Sequence, residues 1–185
     1  MKPVLAEETI TRESVAVTAA GAELPFEAFY ASTAPALAAF IRRVSGNATA
    51  ADDVLQETYL RFLRARHAGR ALSEMRSYLY RTATTIICDQ WRRPRREALE
   101  LDAQHAIEGH AADSALRVDV AKAFSQLLPR DRALLWLAYV EGSDHAEIAA
   151  ALGLSRISVR VLLFRARAKL ARILRARGFD QGVVS

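Results

Sequence analysis

From Leu24 onward, apolar residues recur at three- and four-residue spacings almost everywhere, and no stretch alternates convincingly as a strand does. The spacing predicts helices over 25–44, 50–67, 75–93, 114–127, 129–141, 144–152 and 156–176. Pro94 is expected to stop the third helix, because its ring removes a donor and disfavours helix before it. Pro129 suits a first helical turn, and Gly142 and Gly153 suit helix ends. Between the third and fourth helices, Glu97 to Asp113 holds five acids, no Lys or Arg and little apolar periodicity. The expectation is an all-α fold of two small helical domains, 24–94 and 114–178, joined by a flexible acidic linker over 95–113. A flexible tail over 1–23 and a short one over 179–185 complete the chain, which has no internal repeat.

The second domain contains a helix-turn-helix pattern in "DHAEIAAALGLSRISVRVLL". Asp144 and Glu147 stand at capping-box spacing, Gly153 permits the tight turn, and Ser155 is placed to cap the second helix. Ile148, Ala149, Leu152, Leu154, Val159 and Leu162 fall where two crossed helices must pack. On a wheel of 100° per residue, Val159, Leu162, Ala166, Leu170 and Ile173 form one buried stripe. Arg156, Arg160 and Arg167 cluster on another face, as a helix in a major groove requires. Arg165, Lys169 and Arg172 point elsewhere and are expected to hold phosphates.

Charge sharpens this picture. The chain carries a formal charge of only +5, yet 153–177 holds eight basic side chains and no acidic one. Its 23 Arg against 3 Lys fit a GC-rich genome, so placement matters more than content.

In the first domain, "ATAADDVLQETYLRFLRARH" is amphipathic. Val54, Leu55, Thr58, Tyr59 and Phe62 face inward, while Asp53, Gln56, Glu57, Leu60, Arg61 and Arg64 lie opposite. An apolar residue ringed by acids and amides is what a protein-docking face presents. The next helix, "MRSYLYRTATTIICDQWRRPRR", buries Leu79, Ala83, Ile86 and Ile87. It aligns Tyr78, Arg81, Thr85, Asp89 and Arg92 on its other side, suited to holding a backbone and stacking unpaired bases.

"DDVLQETYLRFLRA", "RSYLYRTATTIICDQWRR" and "LPRDRALLWLAYVEGSDHAEIAAALGLS" together resemble the extracytoplasmic-function group of bacterial sigma factors, over roughly Phe26 to Leu174. The resemblance implies a protein that binds RNA polymerase core and directs it to promoter DNA. Asp53, Gln56 and Glu57 match the family's acidic clamp-docking motif, beside Leu60 and Arg61. Tyr78, Arg81, Thr85, Asp89 and Arg92 lie in the segment matching the helix that reads and opens the minus-ten element. Ser155, Arg156, Arg160, Arg165 and Arg167 lie in the segment matching the minus-thirty-five helix. Departures occur where Thr85 stands for Asn, Tyr78 for Trp, and Val161 and Leu162 for Ser and Arg. The resemblance also implies control by an anti-sigma factor.

Two other readings follow from the residues alone. A helix-turn-helix regulator acting without polymerase explains 144–177 but gives no role to the Leu60 or Tyr78–Arg92 faces. An enzyme needs converging catalytic groups, whereas His67, His105, His110 and His145 are scattered, with no Cys/His pair at metal-ligand spacing. No cofactor, metal site or catalytic residue is expected. The lone Cys88 fits a reducing cytosol, no apolar run approaches a bilayer span, and the N-terminus lacks a signal-peptide pattern. A cytoplasmic protein without direct membrane insertion is therefore expected.

Overall fold

The computed structural model describes residues 16–19, 22–47, 50–65, 67, 70–97 and 115–179. Among the described residues, seven helices appear in this order: α1 (Phe26–Ser45), α2 (Ala51–Arg64), α3 (Leu72–Glu97), α4 (Ala115–Ser125), α5 (Pro129–Tyr139), α6 (His145–Leu152) and α7 (Arg156–Ala176). The periodicity therefore located each of these seven helices. Pro94, however, does not end α3, which continues to Glu97. The Pro94 ring still removes the donor to the Gln90 carbonyl, but only the last turn of α3 follows it.

A second departure precedes the helices. Strands β1 (Ala16–Ala19) and β2 (Ala22–Pro25) pair antiparallel, Val17 opposite Leu24, across the end of the flexible tail expected over 1–23 and the start of the first expected domain. Each strand is four residues, too short for alternation to register as a pattern. The hairpin rests against α1. Of the remaining expected tails and linker, residues 1–15, 98–114 and 180–185 lie outside the described residues.

In the N-terminal bundle, Phe29, Leu37, Phe40 and Ile41 of α1 pack with Val54 and Phe62 of α2 and Met75 and Leu79 of α3. Phe29 stacks on Phe62 at 4.9 Å, and Phe40 meets Tyr80 edge-on. Thr33 and Tyr59, both buried, share a 2.7 Å hydrogen bond that satisfies two hydroxyls inside this core. Burial pushes the Tyr59 phenol up despite that bond.

The C-terminal bundle does not stand apart. Leu134, Leu137, Ile148, Val159 and Leu163 belong to the same continuous core, and α3 runs against α6 while α1 packs on α5. A smaller cluster of Leu127, Leu135 and Ala166, with Leu170 and Ile173 beside it, joins α7 to the end of α4. The packing also corrects the expected stripe of α7. Leu163 is buried, whereas Leu162 is half-buried at the rim of the core.

Local chemistry positions α6 and α7 as expected. Asp144 accepts from the backbone N–H groups of Ala146 and Glu147, while Glu147 accepts from the Asp144 N–H, completing a capping box. Those two backbone donors, Glu147 foremost, hold the Asp144 carboxyl below its ordinary range. Gly153 adopts φ +62, a left-handed cap that glycine enters without steric cost. Ser155 then accepts from the Ser158 N–H to start α7.

Candidate nucleic-acid and polymerase interfaces

On α2, the structure separates the two faces as the wheel predicts. Val54, Thr58, Tyr59 and Phe62 are buried, and Leu55 is half-buried. Asp53, Gln56, Leu60 and Arg61 are exposed, and Glu57 is half-buried. Leu60 keeps 46% of its surface in solvent and Leu63 keeps 41%. Arg61 Nε donates to Glu57 Oε1 at 2.7 Å, an i,i+4 pair that fixes the carboxylate beside Leu60. This face is thus an apolar spot bordered by ordered charge.

On α3, Arg81, Thr85, Asp89 and Arg92 are exposed along one side. Asp89 and Arg92 approach at 3.5 Å, and the Thr85 hydroxyl donates to the Arg81 carbonyl. Tyr78 differs from the expectation. It is half-buried, with its ring edge-on to Phe62 at 6.1 Å and to His67 at 5.1 Å. The wheel placed it in line with Arg81, but the side chain leans toward α2. Its packing role therefore accompanies any contact with a base.

The exposed side of α3 borders a cleft of about 160 Å³. Arg81, Thr84, Thr85, Cys88, Asp89 and Arg92 form one wall, and Arg130 of α5 with Leu152 of α6 form the other. Arg81 comes so near Gly153 that a Cβ there would lie 3.0 Å from Arg81 Nε. Burial pushes the Cys88 thiol up, with Arg92 and Arg130 opposing that shift. Sequence reasoning did not foresee Arg130 or Leu152 in this setting, since nothing local signals a wall supplied by another bundle.

On α7, Ser155 caps the first turn and Arg156, Arg160, Arg165 and Arg167 are all exposed. Arg156, Arg160 and Arg167 share one flank, and Arg165 occupies the other. Lys169 is not a phosphate-holding group of that set, because its Nζ lies 2.6 Å from Asp131 Oδ2. Asp131 is buried, and this pairing compensates its charge. An exposed apolar row, Ile157, Val161 and Phe164, also went unremarked in the sequence. Its i, i+4, i+7 spacing was the available signal.

His67 is a packed residue. Its Nε2 lies 2.7 Å from the Phe62 carbonyl, and its ring stacks on Phe62 at 3.9 Å. Among the described residues, no cluster of His, Cys, Asp or Glu is arranged to hold a metal, and no helix is long and apolar enough to cross a membrane.

A capped helix-turn-helix with an arginine-lined second helix, beside a bundle with a separate exposed face around Leu60, defines a helical DNA-binding transcription protein. Comparison with known proteins makes the class specific. Residues 29–97 match the model of sigma-70 region 2, and residues 117–170 match that of sigma-70 region 4. An ECF RNA polymerase sigma factor, EcfG from Rhodopseudomonas palustris, is 30% identical over 79% of this chain and 83% of its own length. The sigma factor CarQ of Myxococcus xanthus is 31% identical over 83% of this chain and 91% of its own. Another relative, SigG of Mycobacterium tuberculosis, is 31% identical over 91% of this chain but only 56% of its own length.

Two solved structures share the fold. The sigma factor RpoE in complex with the anti-sigma factor NepR from Bartonella quintana has a TM-score of 0.64 at 21% identity, covering 84% of this chain and 98% of that one. CnrH in complex with the cytosolic domain of CnrY has a TM-score of 0.55 at 28% identity, covering 84% and 91%. The chain belongs to the extracytoplasmic-function group of sigma-70 family factors. It is an alternative sigma factor for promoter-specific transcription initiation.

Proposed function

We propose that this sigma factor divides its work between its two bundles, as domains 24–94 and 114–178. The α2 face of Asp53, Gln56, Glu57, Leu60 and Arg61 docks on polymerase core. Arg81, Thr85, Asp89 and Arg92, with Tyr78 at their edge, hold the separated minus-ten strand. Ser155, Arg156, Arg160, Arg165 and Arg167 engage the minus-thirty-five duplex. Polymerase supplies the chemistry, and this chain supplies address and strand opening, in the cytoplasm. The observation that carries the reading is the presence of three distinct exposed faces on capped or well-packed helices, in the chain order of the two matched regions.

The compact arrangement also bears on mechanism. Elements centred near minus ten and minus thirty-five lie about 25 base pairs apart, roughly 85 Å at ~3.4 Å per step. A compact chain of this length has a radius of gyration of about 16 Å. The packed bundles therefore cannot reach both elements together, and we infer that they part on the promoter. Residues 98–114, fully extended, span about 55–60 Å, which permits that separation. The same compact form suits an anti-sigma partner, because the two structural neighbours are held in complexes of that kind.

The test is run-off transcription with core polymerase on a fragmented genomic template. Discrete start sites that appear only with this protein support the reading. Unchanged core-only transcription, with duplex DNA still bound, favours a regulator that acts without polymerase.

A further inference from the structure

The second helix of the helix-turn-helix presents an apolar row to solvent. Ile157, Val161 and Phe164 keep 87%, 48% and 65% of their surfaces exposed, directly opposite buried Val159, Leu163 and Ala166. At 100° per residue the three fall within an arc of roughly 60°. Arg160 and Arg167 border one side of that arc, and Arg165 and Arg172 border the other. No acid occurs between Arg156 and Ala176. Isolated exposed apolar residues are ordinary, but three in register along one face, with arginines on both flanks, form a ridge.

We propose that this ridge reads thymine C5-methyl groups on the floor of the major groove while the flanking arginines hold phosphates of the two strands. The proposal rests on the assignment of α7 to the upstream duplex and adds the chemistry that it reads there. A major groove about 12 Å wide takes one helix, so the outermost side chains meet the base edges and those to either side meet the groove walls. Methyl groups are the apolar feature that the groove offers. Ile157 and Val161 occupy the first two turns of α7, the part of a recognition helix that approaches bases. From Ile157 to Phe164 the axis advances about 10 Å, equivalent to roughly three base-pair steps. Arginines on both flanks match a groove with phosphates on both walls, whereas a bound acidic helix would need its charges along both of its own edges.

The test uses the full chain with core polymerase and a promoter library randomised in the upstream element. The selected promoter is then remade with single thymines replaced by uracil, which deletes only the methyl. Wild type should bind one or more replaced promoters about three- to fivefold more weakly, the worth of one buried carbon. Ile157→Ser and Val161→Ser, both at exposed positions, should lose that discrimination while keeping the salt dependence set by the arginines. Indifference of the wild type to every replacement would overturn the proposal. So would an unchanged thymine preference in both serine variants, which would place methyl reading elsewhere than on Ile157 and Val161. Failure to start transcription on any template would instead contradict the sigma-factor assignment, so the two failures remain separable.

Discussion

Arg132 reaches across the fold to the end of α1, where its Nη2 stands 3.4 Å from the carbonyl oxygen of Ser45, 87 residues away in sequence. Its Nη1 lies 3.5 Å from the Ser125 carbonyl, which ends α4. One guanidinium thus faces two helix C-termini, where unpaired carbonyls and the helix dipoles both favour positive charge. Gly46 makes room for it, since a Cβ there would stand 2.6 Å from Arg132 Nη1. Arg132 is 3% exposed, and burial lowers its pKa to about 10, leaving it charged at neutral pH.

Arg132→Gln should therefore loosen the contact between the bundles. The shorter side chain leaves buried carbonyls without their donor, at a cost of about 1–3 kcal/mol. The lone thiol, Cys88, lines the cleft between the bundles and serves as the probe. Because only the thiolate reacts, opening the cleft should return its pKa toward normal and raise its rate of modification. The checks are the urea midpoint and the rate of thiol labelling. A variant that matches wild type in both would show that the clasp has no energetic role.

The docking face makes a second prediction. Leu60→Asp replaces the exposed apolar centre of the α2 face without touching the core, so the fold should persist. Truncating a central interface residue commonly costs ~1–2 kcal/mol, and titration with labelled core should show weakening of about five- to thirtyfold. Glu57→Lys should also weaken binding, but it breaks the pair with Arg61 as well. Unchanged affinity in both variants would remove this face from the interface.

What the sequence disclosed follows from the range of the forces involved. The capping box of Asp144 and Glu147, the left-handed Gly153 and the Ser155 cap are set by neighbours within four residues. The faces of α2 are equally legible, because one helix turn decides them. Arg132 is different. Its burial depends on α1 and α4 ending beside α5, and no local pattern distinguishes it from a surface arginine. Tyr78 shared a helical line with Arg81, yet its ring turns toward Phe62 and His67, a choice made by packing. Pro94 does not mark the end of α3, because one further turn to Glu97 forms after it. The apolar row on α7 is legible in its i, i+4, i+7 spacing, but which side of the helix faces solvent is decided by packing against α5 and α6.

A third prediction concerns pH. The Nε2–H of His67 donates to the Phe62 carbonyl at 2.7 Å. Nδ1 is buried and has no partner among the described residues. Burial, aided by nearby Arg70, pushes the imidazole below its ordinary value, against the opposing pull of the Phe62 bond. The unfolded chain therefore binds this proton more readily than the folded one. Stability from this site is complete above the ordinary histidine pKa, about 6.5, and declines as pH falls below it. Urea midpoints measured from about pH 7.5 to 5.5 should fall more steeply for wild type than for His67→Gln. Parallel profiles would mean that His67 does not carry the acid sensitivity.

The last prediction separates strand opening from duplex reading. Arg81 and Arg92 are exposed on the face assigned to the separated strand, and their removal spares the core better than removal of Tyr78 would. Arg160 lies on α7 and is assigned to a phosphate of the upstream duplex, where losing one such contact weakens binding across sequences and lowers the salt slope by about one. A promoter with a mismatch bubble at the minus-ten element has already lost the base pairs that must otherwise be broken. The decisive measurement is the ratio of transcripts from bubble and duplex templates, made with core polymerase and each variant. Arg81→Ala with Arg92→Ala should initiate poorly on duplex and recover substantially on the bubble, while Arg160→Ala should show no comparable recovery. Equal rescue of both variants would contradict the division of labour between the two bundles.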